Sequence, residues 1–404
     1  MPHFIWTWVS LGKTFTSSEY VDQMNPHCIL LICPKSMIPM WCNHWMTHYP
    51  KYRVLDLSKP KNLEAFFVCD NQKVGVVSYQ TAWRRKQLYA LRDFVLMCDE
   101  SSNIQNKSAK QTKCILNMKP SSVVLLSGTP TSGKYENLWV QCHLLGWNIS
   151  EDLYNRQYVN WTYVESDGFF HKIVDKDNPY KNVDRLRAKL RTYGAVFMKT
   201  EDCFQLPEQT IIPVYVETSK EYRRFMKHGI VELPDGTELI GDQIFTKRMY
   251  SRQLCGQYSK AKIEAFRELL QSTNDRLIVF YNFTAELEEL EAACNDAERP
   301  FSLVNGSCKR LDEYEKYEDS VTLIQYAAGS LGLNLQKASK IVYFTLPERS
   351  DLFEQSKKRT HRIGQERPCF YWIMMCKGSV EEQIYQTLQA RKDWTDQLFE
   401  EVTK

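Results

Sequence analysis

No Cys-x-x-Cys pair occurs anywhere in the 404 residues, and the thirteen cysteines are scattered and odd in number. A disulfide scaffold carries cysteine above about 8%, far more than this chain does. No zinc-ligand spacing is present either, so zinc is not expected, and buried thiols in a reducing cytosol are. Long apolar runs are missing too. The two clearest, residues 29–33 and 277–281, fall far short of the roughly 18 residues a membrane span requires, and no membrane partner is expected. The N-terminus has neither a basic n-region nor an apolar h-region, so no targeting segment is read there. There is no repeat or low-complexity tract. The net charge of +3 is too small for a basic tail protein.

What is present is ordinary globular composition, 43% hydrophobic and 25% charged, in a length that allows two or three domains at roughly 150 residues each. Short apolar runs rich in Val, Ile and Leu recur at 28–33, 74–77, 94–98, 123–126, 277–281, 322–325, 341–344 and 370–375. Unbroken apolar runs of this length predict strands buried on both faces of a parallel sheet. Stretches such as 284–297, with Leu287, Leu290, Ala293 and Cys294 at helical spacing, lie between them. The alternation predicts an α/β architecture with crossover helices. One set of strands ends before about residue 200 and the other begins near 275, which places a boundary near residue 212. Residues 1–212 form the first domain and 213–404 the second, with 213–258 as a connecting segment. The first holds 25 Lys+Arg against 19 Asp+Glu and the second 27 against 30. A basic first domain is suited to contact phosphates.

Five local patterns carry chemistry. Leu11-Gly12-Lys13-Thr14 follows an apolar stretch at 4–9 that reads as a strand. Binding a triphosphate calls for free backbone N–H groups, an ammonium on the β/γ oxygens and a hydroxyl on Mg²⁺, and Gly12, Lys13 and Thr14 supply that set. Asp99-Glu100 ends an apolar run, at the strand edge where open α/β sheets bind ligands. There Asp99 can hold Mg²⁺ and Glu100 can polarise an attacking water. Ser127-Gly128-Thr129-Pro130 ends the next run and offers hydroxyls on a tight turn. In the second half, the stretch from Gly329 through Gly332 to Asn334 and Leu335 reads as a loop where backbone approaches a ligand closely. Arg359 and Arg362, three residues apart, are expected on one helical face, and a guanidinium neutralises charge developing on a transferring phosphoryl group.

In this order the motifs resemble the Swi/Snf family of superfamily-2 helicase-like ATPases, specifically its compact bacterial and bacteriophage members. The most diagnostic match is residues 355–365, which follow Gln-x-x-x-Arg-x-x-Arg-Ile-Gly-Gln. Gly332-Leu333-Asn334-Leu335, Ser127 to Pro130 and Asp99-Glu100 are similar to further family motifs. So is the region of Ile32, Cys33, Pro34, Lys35 and Ser36 with Trp41 and Trp45, and the segment from Phe197 to Pro207 is similar to the one that leaves the first lobe. The resemblance implies two RecA-like lobes, each a mostly parallel sheet flanked by helices, with ATP in the cleft between them. It implies that Ser10, Leu11, Gly12, Lys13, Thr14, Gly332 and Gln355 bind the nucleotide, with Thr14 and Asp99 on Mg²⁺. Lys13, Asp99, Glu100, Arg359 and Arg362 would be catalytic, with Arg362 as the arginine finger. Pro34, Ser127, Thr129, Gly329 and Asn334 would line the DNA path or couple it to hydrolysis. The implied partner is duplex DNA, bound without sequence preference. The chain is expected to act as a monomer in the cytoplasm of a bacterial or virus-infected bacterial cell.

The sequence departs from the family pattern in three places. Thr7-Trp8-Val9-Ser10 replaces the first four positions of the phosphate-loop motif, and Ser10 stands where the family has Gly. Lys358 stands where the family has Asp. The start at Met1 is expected to fall after the family's adenine-contacting segment. The two functional expectations are therefore a DNA-stimulated ATPase that translocates on duplex DNA, and a DNA-binding remnant of the same fold without useful turnover.

Overall fold

The computed structural model describes residues 4–6, 12–166, 169–196, 204–326 and 333–399. The chain forms two compact units, Met1–Cys203 with Arg391–Lys404, and Phe204–Ala390.

The first unit is built on β1 (Phe4–Trp6), β2 (Cys28–Cys33), β3 (Arg53–Asp56), β4 (Lys73–Ser78), β5 (Val95–Asp99) and β6 (Ser122–Ser127). An antiparallel hairpin of β7 (Trp161–Ser166) and β8 (Phe169–Val174) and the short β9 (Ala195–Val196) follow. Strand order in the sheet is β3-β4-β2-β5-β6-β1-β9, and every pairing is parallel. β2, β4, β5 and β6 are buried along their whole length, because helices cover both faces of the sheet. Alternate residues feed separate cores. Cys28, Leu30 and Ile32 join one core, with Leu96 and Leu125. Ile29, Leu31 and Cys33 join the other, with Met97, Val124, Trp41 and Trp45. The second core is closed by α1 (Lys13–Gln23) and α2 (Ile38–His48), which contribute Val21, Ile38 and both tryptophans.

The second unit contains β10 (Gln209–Val216), a small hairpin of β11 (Ile230–Glu232) and β12 (Glu238–Ile240), then β13 (Leu277–Tyr281), β14 (Phe301–Val304), β15 (Lys309–Arg310), β16 (Val321–Gln325), β17 (Lys340–Tyr343) and β18 (Cys369–Cys376). The large sheet runs β10-β18-β17-β13-β16-β14-β15 and is parallel except at β14–β15. All eight expected apolar runs are therefore strands, and the expected helix at 284–297 is the helix Thr284–Asp296.

Two expectations need correction. The units divide at Cys203/Phe204, not near 212, and residues 213–216 belong to β10. That strand pairs with β18 from Gln209↔Cys369 to Val216↔Cys376. Pro213 in its middle reads as a strand breaker. It is tolerated because β10 lies at the sheet edge, where one side of the strand needs no donors. The rest of 213–258 is also structured, with the helices Lys220–His228 and Ile244–Cys255 flanking the small hairpin. Second, Arg359 and Arg362 are not on a helix. The helix Ser350–Lys357 ends before them. The chain turns back toward β18 there, with Thr360 and His361 buried and Gly364 at φ +93°.

Candidate functional site

β5, β6 and β1 are neighbours in the first sheet, so the segments that follow them emerge at one edge. α1 starts from Gly12, whose φ of +71° is left-handed, and the space beside its Cα is open for 4 Å. The first turn of α1 presents backbone N–H groups with no intrahelical partner, the usual seat of an anion. Lys13 and Thr14 occupy that turn, both half-buried.

Asp99 is the last residue of β5 and is buried. Its Oδ2 accepts a hydrogen bond from Trp41 Nε1 at 2.8 Å, and its Oδ1 accepts one from Glu100 N at 3.0 Å. Its backbone carbonyl accepts from Tyr79 Oη at 2.7 Å. Burial raises the Asp99 pKa and the Glu100 carboxylate adds to this, while Lys13 and the Trp41 N–H pull it down. Glu100 has φ +51°, a left-handed conformation that costs a residue with a Cβ about 1–3 kcal/mol and is typical of functional sites. That turn carries its side chain to Lys13, with Nζ and Oε1 3.6 Å apart. Lys13 Nζ and Glu100 Oε2 are buried atoms without a hydrogen-bond partner among the described residues.

The loop after β6 is tied to this edge. Ser127 Oγ accepts from Thr129 N at 3.1 Å, and Thr129 Oγ1 is buried with no hydrogen-bond partner among the described residues. The Pro130 carbonyl accepts from Gln105 Nε2 and Gln141 Nε2, each at 2.7 Å. Gln141 in turn accepts from Ser101 Oγ at 3.0 Å, and Asn103 Nδ2 donates to the Glu100 carbonyl at 2.9 Å. A buried amide network thus fixes the Ser127–Thr129 loop relative to Asp99 and Glu100. Pro34 follows β2 in extended conformation, half-buried, with Lys35 and Ser36 exposed beside it.

In the second unit, Arg359 is joined to the loop before it. Its Nη1 donates to the Leu333 carbonyl at 3.4 Å, and Leu335 N donates to the Arg359 carbonyl at 3.2 Å. Asn334 is exposed, and Gln355 is half-buried on the helix Ser350–Lys357. Arg362 has no ion pair among the described residues, and burial lowers its pKa. Two side chains that the sequence reading gave no task hold this segment in place. Gln365 Nε2 donates to the carbonyls of Gln336 at 3.0 Å, Ala338 at 2.9 Å and Thr360 at 3.3 Å. His361 donates from Nε2 to the Pro207 carbonyl at 2.8 Å and accepts at Nδ1 from Gln209 at 3.0 Å. Ser10, Leu11, Gly329 and Gly332 lie outside the described residues.

The second unit also holds a buried cluster that motif spacing did not signal. Cys255, Cys376 and Glu381 bring ligand atoms within 4.8 Å of one another. The cation there is Lys262, whose Nζ lies 2.6 Å from both Glu381 oxygens. Nearby, Glu286 Oε2 accepts from Asn282 N, Phe283 N and Thr345 Oγ1 at 2.9–3.0 Å. Burial nevertheless pushes its pKa up to about 7.

Comparison with known proteins identifies the family. The SNF2-related domain model matches residues 7–288, and the helicase conserved C-terminal domain model matches residues 261–364. The chain is 23% identical to the mouse SWI/SNF-related matrix-associated actin-dependent regulator of chromatin subfamily A member 1, over 95% of this chain and 40% of that protein. It is also 23% identical to the Bacillus subtilis protein YwqA, over 97% of this chain and 46% of that one. The chain thus spans less than half the length of these relatives. Among solved structures, the Sulfolobus solfataricus SWI2/SNF2 ATPase core in complex with dsDNA aligns over 98% of this chain and 88% of that one, with a TM-score of 0.45 and 16% identity. With the family model covering well over half the sequence and two RecA-like units built as the motifs require, the chain belongs to the SNF2-related family of helicase-like ATPases.

Proposed function

We propose that this chain is a DNA-stimulated ATPase of translocase type, hydrolysing ATP to ADP and phosphate as it moves along duplex DNA as a monomer. The observation that carries the reading is the edge after β1 and β5. There, Lys13 Nζ and Glu100 Oε2 are buried without hydrogen bonds among the described residues, beside Gly12 and the Asp99 carboxylate. Buried polar atoms left without hydrogen bonds are costly and are retained where a ligand completes them. The donor set suits a magnesium triphosphate, with an ammonium and helix N–H groups for the phosphates, and a carboxylate with the Thr14 hydroxyl for the metal. Bound Mg²⁺ would supply charge neutralisation on the phosphate oxygens. Glu100 Oε2, without a hydrogen bond among the described residues, is suited to orient an attacking water.

Ser127 and Thr129, fixed to the same edge through Gln141, are suited to report the state of this site to nucleic acid at Pro34; Asn334, exposed in the second unit, is suited to contact nucleic acid there. The guanidinium of Arg362, free of ion pairs among the described residues, is suited to neutralise charge on a transferring phosphoryl group, with Arg359 beside it in the sequence. The proposed setting is the reducing cytoplasm of a bacterial or virus-infected bacterial cell. Among the described residues no helix is long and apolar enough to cross a membrane.

Steady-state ATPase measured with no nucleic acid, with duplex DNA and with RNA tests the reading. Duplex DNA should stimulate most, and binding should weaken steeply with salt, as contacts through phosphates do. Salt-sensitive DNA binding without turnover would identify a remnant of the fold, and a preference for RNA would remove the proposed activity.

A further inference from the structure

Cys255 is the last residue of the helix Ile244–Cys255, and Cys376 is the last residue of β18. They are 121 positions apart in the chain, yet Cys376 Sγ donates to the Cys255 carbonyl at 3.7 Å. The two sulfurs lie within 4.8 Å of each other, and both residues are buried. A sulfur–sulfur bond needs about 2 Å, a gap within reach of side-chain rotation. The site also lies near solvent. Two residues beyond Cys376, Gly378 lines an open surface cleft with Tyr222, Met226 and Val380.

The surroundings treat the two thiols differently. The thiolate, not the thiol, is the nucleophile toward an oxidant. Ser259 Oγ is in hydrogen-bond contact with Cys376 Sγ at 3.6 Å. The Cys376 N–H donates to Glu381 Oε2 at 3.0 Å, and Lys262 Nζ lies 2.6 Å from both Glu381 oxygens. A buried ammonium thus stands one carboxylate away from Cys376. A hydrogen bond from Cys255, the Lys262 ammonium and the Ser259 hydroxyl hold the Cys376 thiol below its ordinary pKa, against burial and the Glu381 charge. Burial pushes the Cys255 thiol up, as it does those of Cys28 and Cys42, each to about 11. One sulfur is prepared to attack, and the other keeps its proton.

We propose that Cys255 and Cys376 form an oxidant-sensitive dithiol that a peroxide converts to a reversible disulfide. The Cys376 thiolate attacks one peroxide oxygen, so an S–O bond forms as the O–O bond breaks. The departing hydroxide takes up the proton that Cys376 released. The Cys255 sulfur then attacks the sulfenic sulfur of Cys376. The S–S bond forms, the S–O bond breaks, and the hydroxyl leaves as water with the Cys255 proton. The two sulfurs together lose two electrons, and one hydrogen peroxide becomes two waters. A thiol reductant restores both cysteines by exchange. In a reducing cytoplasm the pair rests as thiols and closes under oxidant, fastening the helix Ile244–Cys255 to β18. None of these steps depends on the ATPase activity.

The test treats the folded full chain with hydrogen peroxide, blocks the remaining thiols with iodoacetamide and maps the digested chain by mass spectrometry without reductant. A linked Cys255–Cys376 peptide should replace both free-thiol peptides and disappear when dithiothreitol is added. The oxidised chain should also unfold at higher denaturant concentration, because a crosslink over 121 positions restricts the unfolded chain. Dithiothreitol should return the midpoint to its starting value. Cys255→Ser removes the second thiol and should leave Cys376 as a sulfenic acid that dimedone captures. Should that variant fail to fold, the map of the wild-type chain decides alone. Recovery of Cys255 and Cys376 as free thiols, or joined to other cysteines, overturns the proposal, whatever happens at the half-buried Cys42 and Cys308. So does a linked peptide that forms only once the chain is unfolded, or a Cys376 sulfinic acid that dithiothreitol does not reverse.

Discussion

Each unit contains a prominent Lys–Glu pair, and the two pairs are built for opposite ends. In the first unit Lys13 and Glu100 stand 3.6 Å apart, 12% and 24% exposed, and each leaves a polar atom without a hydrogen bond among the described residues. In the second, Lys262 and Glu381 close to 2.6 Å at both carboxylate oxygens, with side chains 0% and 3% exposed. Burial works against the Lys262 charge but Glu381 outweighs it, so its pKa is raised. Glu381 also accepts the Cys376 N–H at 3.0 Å. The residue types are the same, and geometry decides their use. The closed pair is suited to hold the fold, and the open pair, on the function proposed above, to receive a ligand.

Breaking the open pair should have the largest effect on activity and almost none on folding. Lys13→Ala is expected to abolish ATP hydrolysis while changing stability by less than about 1 kcal/mol, since the ammonium makes no hydrogen bond among the described residues and its ion pair with Glu100 is long at 3.6 Å. ATPase assay together with denaturant unfolding checks both halves. Unchanged turnover would end the assignment of Lys13 to the phosphates.

Arg362→Ala should come next, lowering kcat by about 10³-fold or more with a small effect on ATP affinity, because a finger arginine acts on transition-state charge. Arg362→Lys should not restore the rate, as a point charge lacks the planar fork. Normal kcat with weak ATP binding would assign the residue to the ground state instead.

For the closed pair the expectation reverses. Lys262→Met leaves Glu381 buried and uncompensated, which should cost about 3–5 kcal/mol of stability, read from the midpoint of chemical denaturation. A loss similar to that of Lys13→Ala would erase the contrast.

The smallest effect sharpens the contrast through pH. Glu286 is buried in the second unit with Oε1 lacking a hydrogen bond among the described residues, and burial raises its pKa from the ordinary 4.5 to about 7. The folded protein keeps this proton up to about pH 7, and the unfolded chain releases it near 4.5. Folding therefore binds a proton across that window, and this residue's contribution to stability falls as pH rises through it, by on the order of 3 kcal/mol at most. Glu286→Gln should flatten that slope in unfolding experiments at pH 5, 6, 7 and 8, and identical slopes in both proteins would show that Glu286 is not its source.

Much of the fold was legible in the sequence because two-sided burial leaves a local mark. β2, β5, β6, β13 and β18 are unbroken apolar runs, and a central strand of a parallel sheet can be little else. The placement of the candidate motifs was legible for a related reason. Gly12-Lys13-Thr14, Asp99-Glu100 and Ser127 to Pro130 each follow such a run, so their place at the strand edges was set once the strands were. Edge elements left no such mark. β10 alternates and carries Pro213, and the hairpin of β7 and β8 exposes Tyr163, Phe169 and Phe170, so neither shows the burial that makes a strand readable.

The sequence by itself thus determined which segments become central strands and which reactive residues end them, since both depend on neighbours a few positions away. Tertiary structure alone decided how those residues are held. Trp41 reaches Asp99 across 58 positions, Lys262 reaches Glu381 across 119, and Gln365 reaches back 29 positions to Gln336 and 27 to Ala338. A hydrogen bond or buried ion pair depends on separations of a few ångströms, and only the packing of sheets and helices fixes those for residues so far apart in the chain.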